Sequence, residues 1–508
     1  MMHFRHTLFG VGLLAVAAST HAAEGVLDIV APWEIGSTDP AKAGYVYTRL
    51  QIGETLVEVD DQGHPKAGLA EGWTVSDDQL SWRFALRPDV HFHDGSALTA
   101  EAVAGALRLA LTKPGMLNQA PITEIAAEEE AVRIRLSSPF ALLPAVLAHS
   151  SALILAPASY NEAGEATQVI GTGPYRIEQL QMPQKLIAAA FNDYWGGAPA
   201  IEHMTYLAAG RGETRALLAE SGDADVVFTL DPASQARLQR NPKLKVQAEP
   251  IPRTVTLKVN ASHPLLAEPE ARRALSLALD RTGMAMALLR TPEAAAGQLF
   301  PPSLTDWHLQ EVDGAKRDLT QARALLAGLG WQTDDNGMLS RNGEPFALTM
   351  LTFSDRPELP LLATALQQQW RELGVALTVN VTNSSEIPAS HRDGSLQLGL
   401  MARNFALIPD PLGTLLLDFG PEGGDWGAMN WYSPRLGEIL QQLLTQTQTD
   451  GEAVAGLRRE AAGILHEQLP VIPVAWYQQT AAVSSKVEGF RIDTFERNYR
   501  VSEMRWAQ

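Results

Sequence analysis

The chain has 508 residues, 45% of them hydrophobic, a formal charge of −18 and no cysteine. The length suggests about three domains at roughly 150 residues each, and the apolar fraction supports a large core without cross-links. The acidic balance excludes a nucleic-acid partner, whose phosphates call for clustered Lys and Arg, and the missing cysteine excludes disulfides, a thiol nucleophile and a lipid-modified cysteine.

Residues 1–22 have the layout of a cleavable secretory signal. Arg5 is followed by an apolar run from Leu8 to Ala18, and Thr20 and Ala22 put small residues before the cut. This predicts a periplasmic protein that is not a lipoprotein. No later run of 18 apolar residues occurs, so no transmembrane helix is expected.

The remainder alternates strand and helix patterns, which points to an α/β protein. The first strand is read in LDIVAPW, ending at Trp33. WRFAL at 82–86 puts Trp82, Phe84 and Leu86 on one strand face. Thr99 is placed to cap a helix with Glu101 in its first turn and Val103, Leu107 and Leu111 on its apolar face. VRIRL at 132–136 and VTLKV at 255–259 alternate as strands do. Pro269 suits the first turn of a helix carrying Ala271, Leu275 and Leu279. Gly330 ends the helical run 319–331. DDNG (334–337) and PEGGDWG (421–427) read as exposed turns or loops. No linker-like tract separates domains, which suggests strands that cross between lobes.

Enzyme and cofactor motifs are missing. There is no GxxxxGK[ST], GxSxG or HExxH. GTG at 171–173 runs into Pro174 rather than a Gly-rich helix start. His91, His93 and Asp94 form the best metal-like set, against a reading in which Phe92 packs inward and the histidines flank a turn. Asp60, Asp61 and Glu128 to Glu130 read as solvated charge. No catalytic residue, resident metal or cofactor is assigned.

Short motifs then follow in order: GLAEGWTVSDD (68–78), WRFALRPDVHFHDGSALTAEAV (82–103), GTGPY (171–175), FNDYWGGAPAIEHMTY (191–206), TRALLAESGDADVVF (214–228), VN (259–260), ARRALSLALDR (271–281) and LPVIPVAWY (469–477). Together they resemble the family 5 extracellular solute-binding proteins, the peptide, opine and nickel binders of ABC importers, over essentially the whole chain after the signal. Asp94 and Gly95 read as a turn, and Gly171 and Gly173 as positions needing unusual backbone shapes.

The resemblance implies a two-lobed periplasmic binding protein fold with an extra domain inserted in the first lobe. Lobe I would comprise 23–52, 165–257 and 478–508, the inserted domain 53–164, and lobe II 258–477. Closure over a small-molecule ligand, delivery to an inner-membrane permease with its ATPase, and a monomeric state are implied. Peptide-binding relatives carry an Asp three residues before the acid of a [D/E]P pair. Here the pair is Asp410–Pro411, and Leu407 stands at that place. Leucine cannot neutralise an ammonium. Arg403 and Phe405 match nickel-type relatives, favouring a nickel or other metal-chelate complex over a di- or oligopeptide. Arg403 would grip a ligand carboxylate, or else form a salt bridge within its lobe. Two arginines of nickel-type relatives fall at Leu153 and near Met116, where neither charge is kept. Asn118, Ser150 and Ser151 offer neutral hydrogen bonds nearby. Trp33, Tyr45, Asn430 and Trp431 complete the candidate ligand-binding set, with Tyr47, Trp426 and Tyr432 as neighbouring possibilities.

Overall fold

A computed structural model describes residues 25–312, 316–354, 356, 358–446 and 451–508. The stretch read as a secretory signal lies outside the described residues.

Ten strands form one mixed sheet. Their spatial order is Ala376–Thr382, Ala347–Phe353, Leu398–Asn404, Leu244–Val259, Val471–Ser484, Val226–Phe228, Val26–Ala31, His203–Ala208, Lys185–Ala190 and Tyr175–Gln181. The two long strands, Leu244–Val259 and Val471–Ser484, lie in the middle and run antiparallel from Leu244 opposite Ser484 to Lys258 opposite Val471. Leu244–Val259 also pairs with Leu398–Asn404, and Val471–Ser484 with Val226–Phe228. These two strands therefore carry the backbone ladder between the two halves of the molecule. Their register shifts between Pro250 and Thr254. Pro250 and Pro252 have no N–H to donate, so the ladder cannot continue unbroken there. The irregularity falls where the two halves meet, and it places Arg253.

A separate four-stranded antiparallel sheet, ordered Ala70–Val75, Ser81–Leu86, Ala131–Leu136 and Ile122–Ala127, lies within residues 53–164. Trp82 pairs with Ile134 and Phe84 with Val132, all four buried. The charged alternates Arg133 and Arg135 reach Glu124 and Glu128 on the other face. The helix Ala100–Leu111 begins as its sequence dictates: the Thr99 hydroxyl accepts from the Ala102 N–H at 3.2 Å, and Val103 and Leu107 are fully buried.

The FHDG segment makes the expected turn. Gly95 has φ +83, its N–H donates to Phe92 O, and Phe92 is buried. His93 Nε2 lies 2.9 Å from Gly173 O and its ring meets Phe191 edge-on, whereas His91 is exposed. Among the described residues no three His, Cys, Asp or Glu side chains gather as a metal site.

Two expectations need correction. Gly171 and Gly173 do not adopt positive φ. Their requirement is space: a Cβ at Gly171 would lie 2.2 Å from Ile52 O, and one at Gly173 2.2 Å from Gln51 O. The 421–427 loop is only partly exposed, because Gly424 O and Gly427 O accept from the buried Lys258 Nζ at 2.6 and 2.7 Å.

Apolar packing divides among distinct clusters. One lies under the sheet around Leu27, Tyr47 and Tyr206, and another around Leu257, Trp370 and Leu398. A third joins the inserted sheet to the helices Pro411–Asp418 and Pro434–Thr445, with Leu142, Ile408 and Leu412 at the contact. Ala141 N–H donates to Leu444 O at 2.7 Å across it. The inserted segment thus reaches over the second half and shuts one side of the gap between them.

Candidate ligand-binding site

A cavity of about 230 Å³ lies where these parts meet. Its wall is assembled from distant stretches of chain. The helix Pro40–Arg49, started by Asp39 and Pro40, presents Tyr45, Thr48 and Arg49 on one face. Glu54 and Glu58 follow from the next turn and strand, and His149 and Ser150 come from the inserted segment. Arg253 comes from the register irregularity of Leu244–Val259, and Ala406, Leu407 and Pro409 from beyond the strand Leu398–Asn404. Phe495, Glu496 and Arg497 complete it.

The charged groups of this wall are only partly satisfied. The Arg49 guanidinium lies 4.0 Å over the Trp33 ring and 5.3 Å from the Tyr45 ring. Its Nε donates to Glu496 O at 3.0 Å, and its Nη2 lies 3.7 Å from Glu496 Oε1. Its Nη1 is buried and has no hydrogen-bond partner. Arg253 Nη2 donates to Glu496 Oε2 at 2.9 Å. Arg497 is fully committed elsewhere, to Asp493 and to Val59 O and Asp60 O.

Glu54 accepts from Thr172 Oγ1 at 2.7 Å, Tyr194 Oη at 2.9 Å and Trp195 Nε1 at 3.1 Å. Burial foremost, then Glu58, push its carboxyl up to about 7, while the three donors hold it back. Burial pushes His149 down to about 4, so its imidazole is neutral near pH 7. His149 Nδ1 accepts from the Ser151 N–H at 3.1 Å, which leaves Nε2 as the protonated nitrogen. Such a ring offers a donor to a ligand, not a lone pair to a metal.

The expected ligand residues distribute unevenly. Tyr45 lies in the wall. Trp33 lies one layer behind it, under Arg49 and 6.4 Å from the Tyr499 ring. Arg403 is bound elsewhere: its Nε and Nη2 donate to Asp418 Oδ2 and Oδ1 at 2.6 and 2.7 Å. This is the salt bridge within the lobe, the second of the two readings of Arg403, and it leaves the guanidinium fork filled. Phe405 is 1% exposed and meets Phe300 edge-on at 5.4 Å; it lies just beyond the strand, where its N–H donates to Pro252 O and its ring turns into the core. Its neighbours Asn404, Ala406 and Leu407 line the cavity instead. Asn430 has φ 55 and donates to Asn260 Oδ1 and Ser262 Oγ, holding a turn. Trp431 packs edge-on against Phe419. Tyr47 donates to Ser37 O and is buried. Of the neutral donors, Ser150 lies in the wall, while Ser151 accepts from Met116 N–H behind it. Leu153 is buried against Gly53.

Arg49, Glu54, His149, Arg253 and Glu496 are the site residues that sequence reasoning misses. A signal existed for Arg49, which stands four residues after Tyr45 on one helix face. Arg253 lies between prolines and strand residues, and nothing local marks it.

Two α/β halves joined by crossing strands, with a cavity between them, define the two-lobed periplasmic binding protein fold. Residues 64–426 match the family described as bacterial extracellular solute-binding proteins, family 5 Middle. The chain belongs to that family. It is 25% identical over 493 residues to the nickel-binding periplasmic protein of Escherichia coli strain K12, covering 93% of each chain. It is also 25% identical over 482 residues to a probable di/tripeptide-binding protein of Pseudomonas aeruginosa, covering 87% of this chain and 88% of that one. Among solved structures, a nickel ABC transporter protein from Bacillus halodurans is 26% identical with a TM-score of 0.82, covering 95% of this chain and all of that one. NikA from Brucella suis in complex with Fe(III)-EDTA is 22% identical with a TM-score of 0.83, covering 95% and 99%, and shares the fold. Among the described residues no helix is long and apolar enough to cross a membrane.

Proposed function

We propose that this protein is the periplasmic capture component of an ABC importer, and that its cargo is a compact anionic solute, a nickel or other metal-chelate complex. The lobes close over the cargo, and the closed form is handed to an inner-membrane permease with its ATPase. The protein acts as a monomer and changes nothing covalently. The observation that carries the ligand class is the pair of guanidinium groups in the cavity wall, Arg49 and Arg253, which share the single carboxylate of Glu496. A ligand carboxylate meets such a pair by charge-assisted hydrogen bonds. The cavity is below the roughly 300–1,000 Å³ of drug-sized sites, which suits a compact guest. A metal would arrive inside its chelator, because His149 is the one histidine of the wall and is turned to donate.

A second reading, a di- or oligopeptide, draws on Glu58, a half-exposed acid in the wall that pairs with Lys66 at 3.5 Å and can exchange that partner for a ligand ammonium. Leu407 in the same wall opposes it. The relatives include both nickel and peptide binders at equal identity, so the preference for the chelate rests on the cavity chemistry. Calorimetry with Ni(II)-histidine, Fe(III)-EDTA, glutathione and a dipeptide panel tests the choice. Chelate binding with no dipeptide signal is expected. Tight dipeptide binding with no chelate signal replaces the first reading by the second.

A further inference from the structure

We infer that Glu496 is an internal stand-in for the ligand's anionic group, occupying a two-arginine clamp that the ligand's carboxylate takes over. The inference rests on the anionic-ligand reading above and names the residues that deliver it. Arg49 belongs to the first half of the molecule, on Pro40–Arg49. Arg253 lies opposite Asn404, on the ladder shared with the second half. The clamp therefore sets an arginine of the first half against one at the join between the halves.

The clamp is underfilled. The side chains of Arg49, Arg253 and Glu496 are 11%, 14% and 12% exposed, so water does little to satisfy them. Two guanidinium groups share the Glu496 carboxylate, with Glu358 a further acid near Arg253. Arg253 makes a hydrogen bond to Glu496 at 2.9 Å, but Arg49 Nη2 is 3.7 Å away, outside hydrogen-bond range. A free carboxylate is not bound by backbone geometry and can sit between Arg49 Nη2 and Arg253 at hydrogen-bond distance from both, which Glu496 does not reach.

The backbone is arranged so that the side chain of Glu496 can leave without disturbing Arg49. Arg49 Nε is held by the carbonyl oxygen of Glu496, not by its carboxylate. Trp33 supports the guanidinium from below at 4.0 Å. Glu496 sits at φ 55, at the end of a turn closed by its own N–H to Asp493 O. Its side chain has a charge-bearing role there that the turn itself does not require.

Removing the competing charge isolates this role. The test is calorimetry with Fe(III)-EDTA and with glutathione on the wild type, Glu496→Gln, Arg49→Gln and Arg253→Gln. Glu496→Gln keeps the size and the backbone acceptor, and is expected to bind the anionic probe about tenfold more tightly. Each arginine variant is expected to bind about tenfold or more weakly, with circular dichroism showing a folded protein. Equal or weaker probe binding by Glu496→Gln overturns the inference, because a merely structural carboxylate behaves in that way. Absence of any signal with both probes in the wild type and in Glu496→Gln also overturns it. Native mass spectrometry of the same preparations separates the two readings. A solute carried equally by wild type and Glu496→Gln removes the stand-in but leaves the importer function. No solute and no probe binding removes both.

Discussion

Arg403 shows how one residue type can serve two ends that local sequence does not separate. A lone arginine before a loop can meet a ligand or a neighbouring acid, and which occurs depends on Asp418, fifteen residues on. Burial pushes the Asp418 carboxyl up despite Arg403 and Lys258, and pushes Lys258 down to about 7 despite Asp418, so the cluster is held under desolvation. Removing one partner of such a pair costs about 3–5 kcal/mol. Arg403→Ala should therefore lower the urea midpoint strongly and leave the affinity for Fe(III)-EDTA within about twofold of wild type. Lost affinity at unchanged stability would return Arg403 to the ligand. Glu54 makes the second residue-scale prediction. Its carboxyl is raised from 4.5 to about 7, so the native state holds this proton more tightly than the unfolded chain. That contribution is fully present below about pH 4.5 and is lost as pH rises through about 7. Glu54→Gln removes this slope. Its stability relative to wild type should rise between pH 5 and 8, by on the order of 3 kcal/mol in urea titrations. A difference that stays flat with pH would show that the three donors keep Glu54 ionised.

At the scale of elements, much was legible from sequence. The alternation in 82–86 and 132–136 and the Thr99 cap are local signals, and each appears in the structure with the expected buried face. Long-range closeness was not legible. Gly171 and Gly173 look like turn glycines, yet they are pressed against the carbonyls of Ile52 and Gln51, more than a hundred residues earlier. Gly173→Ala should cost about 1–3 kcal/mol or more from overpacking against backbone that cannot rotate away. Thr99→Ala should cost about 1 kcal/mol, the loss of one cap. Thermal unfolding of both variants checks the order. Equal effects would mean that the 51–53 turn yields to the added methyl. The cavity wall was illegible for the same reason. Its helix, turn, strand irregularity and C-terminal segment meet only after the sheet has formed, so local sequence groups its charges only as Arg49, Glu54 and Glu58 and as Glu496 and Arg497, and nothing local joins these sets to each other or to Arg253.

At the scale of the whole molecule, the order of motifs sufficed to identify the family, and the crossing strands Leu244–Val259 and Val471–Ser484 explain why no linker appears between the halves. The same strands hold Arg253 at the join, and the inserted segment covers the gap through Leu142 and Ala141. The two-lobed form thus lines its cavity with charge from several directions. The most direct measurement of this account is native mass spectrometry of the protein purified gently from its own compartment, compared with the same sample after unfolding. The account predicts one equivalent of a small anionic solute, released on unfolding and chemically unchanged, and missing from Arg49→Gln. A protein that carries no solute, or carries one that Arg49→Gln retains in full, would contradict it.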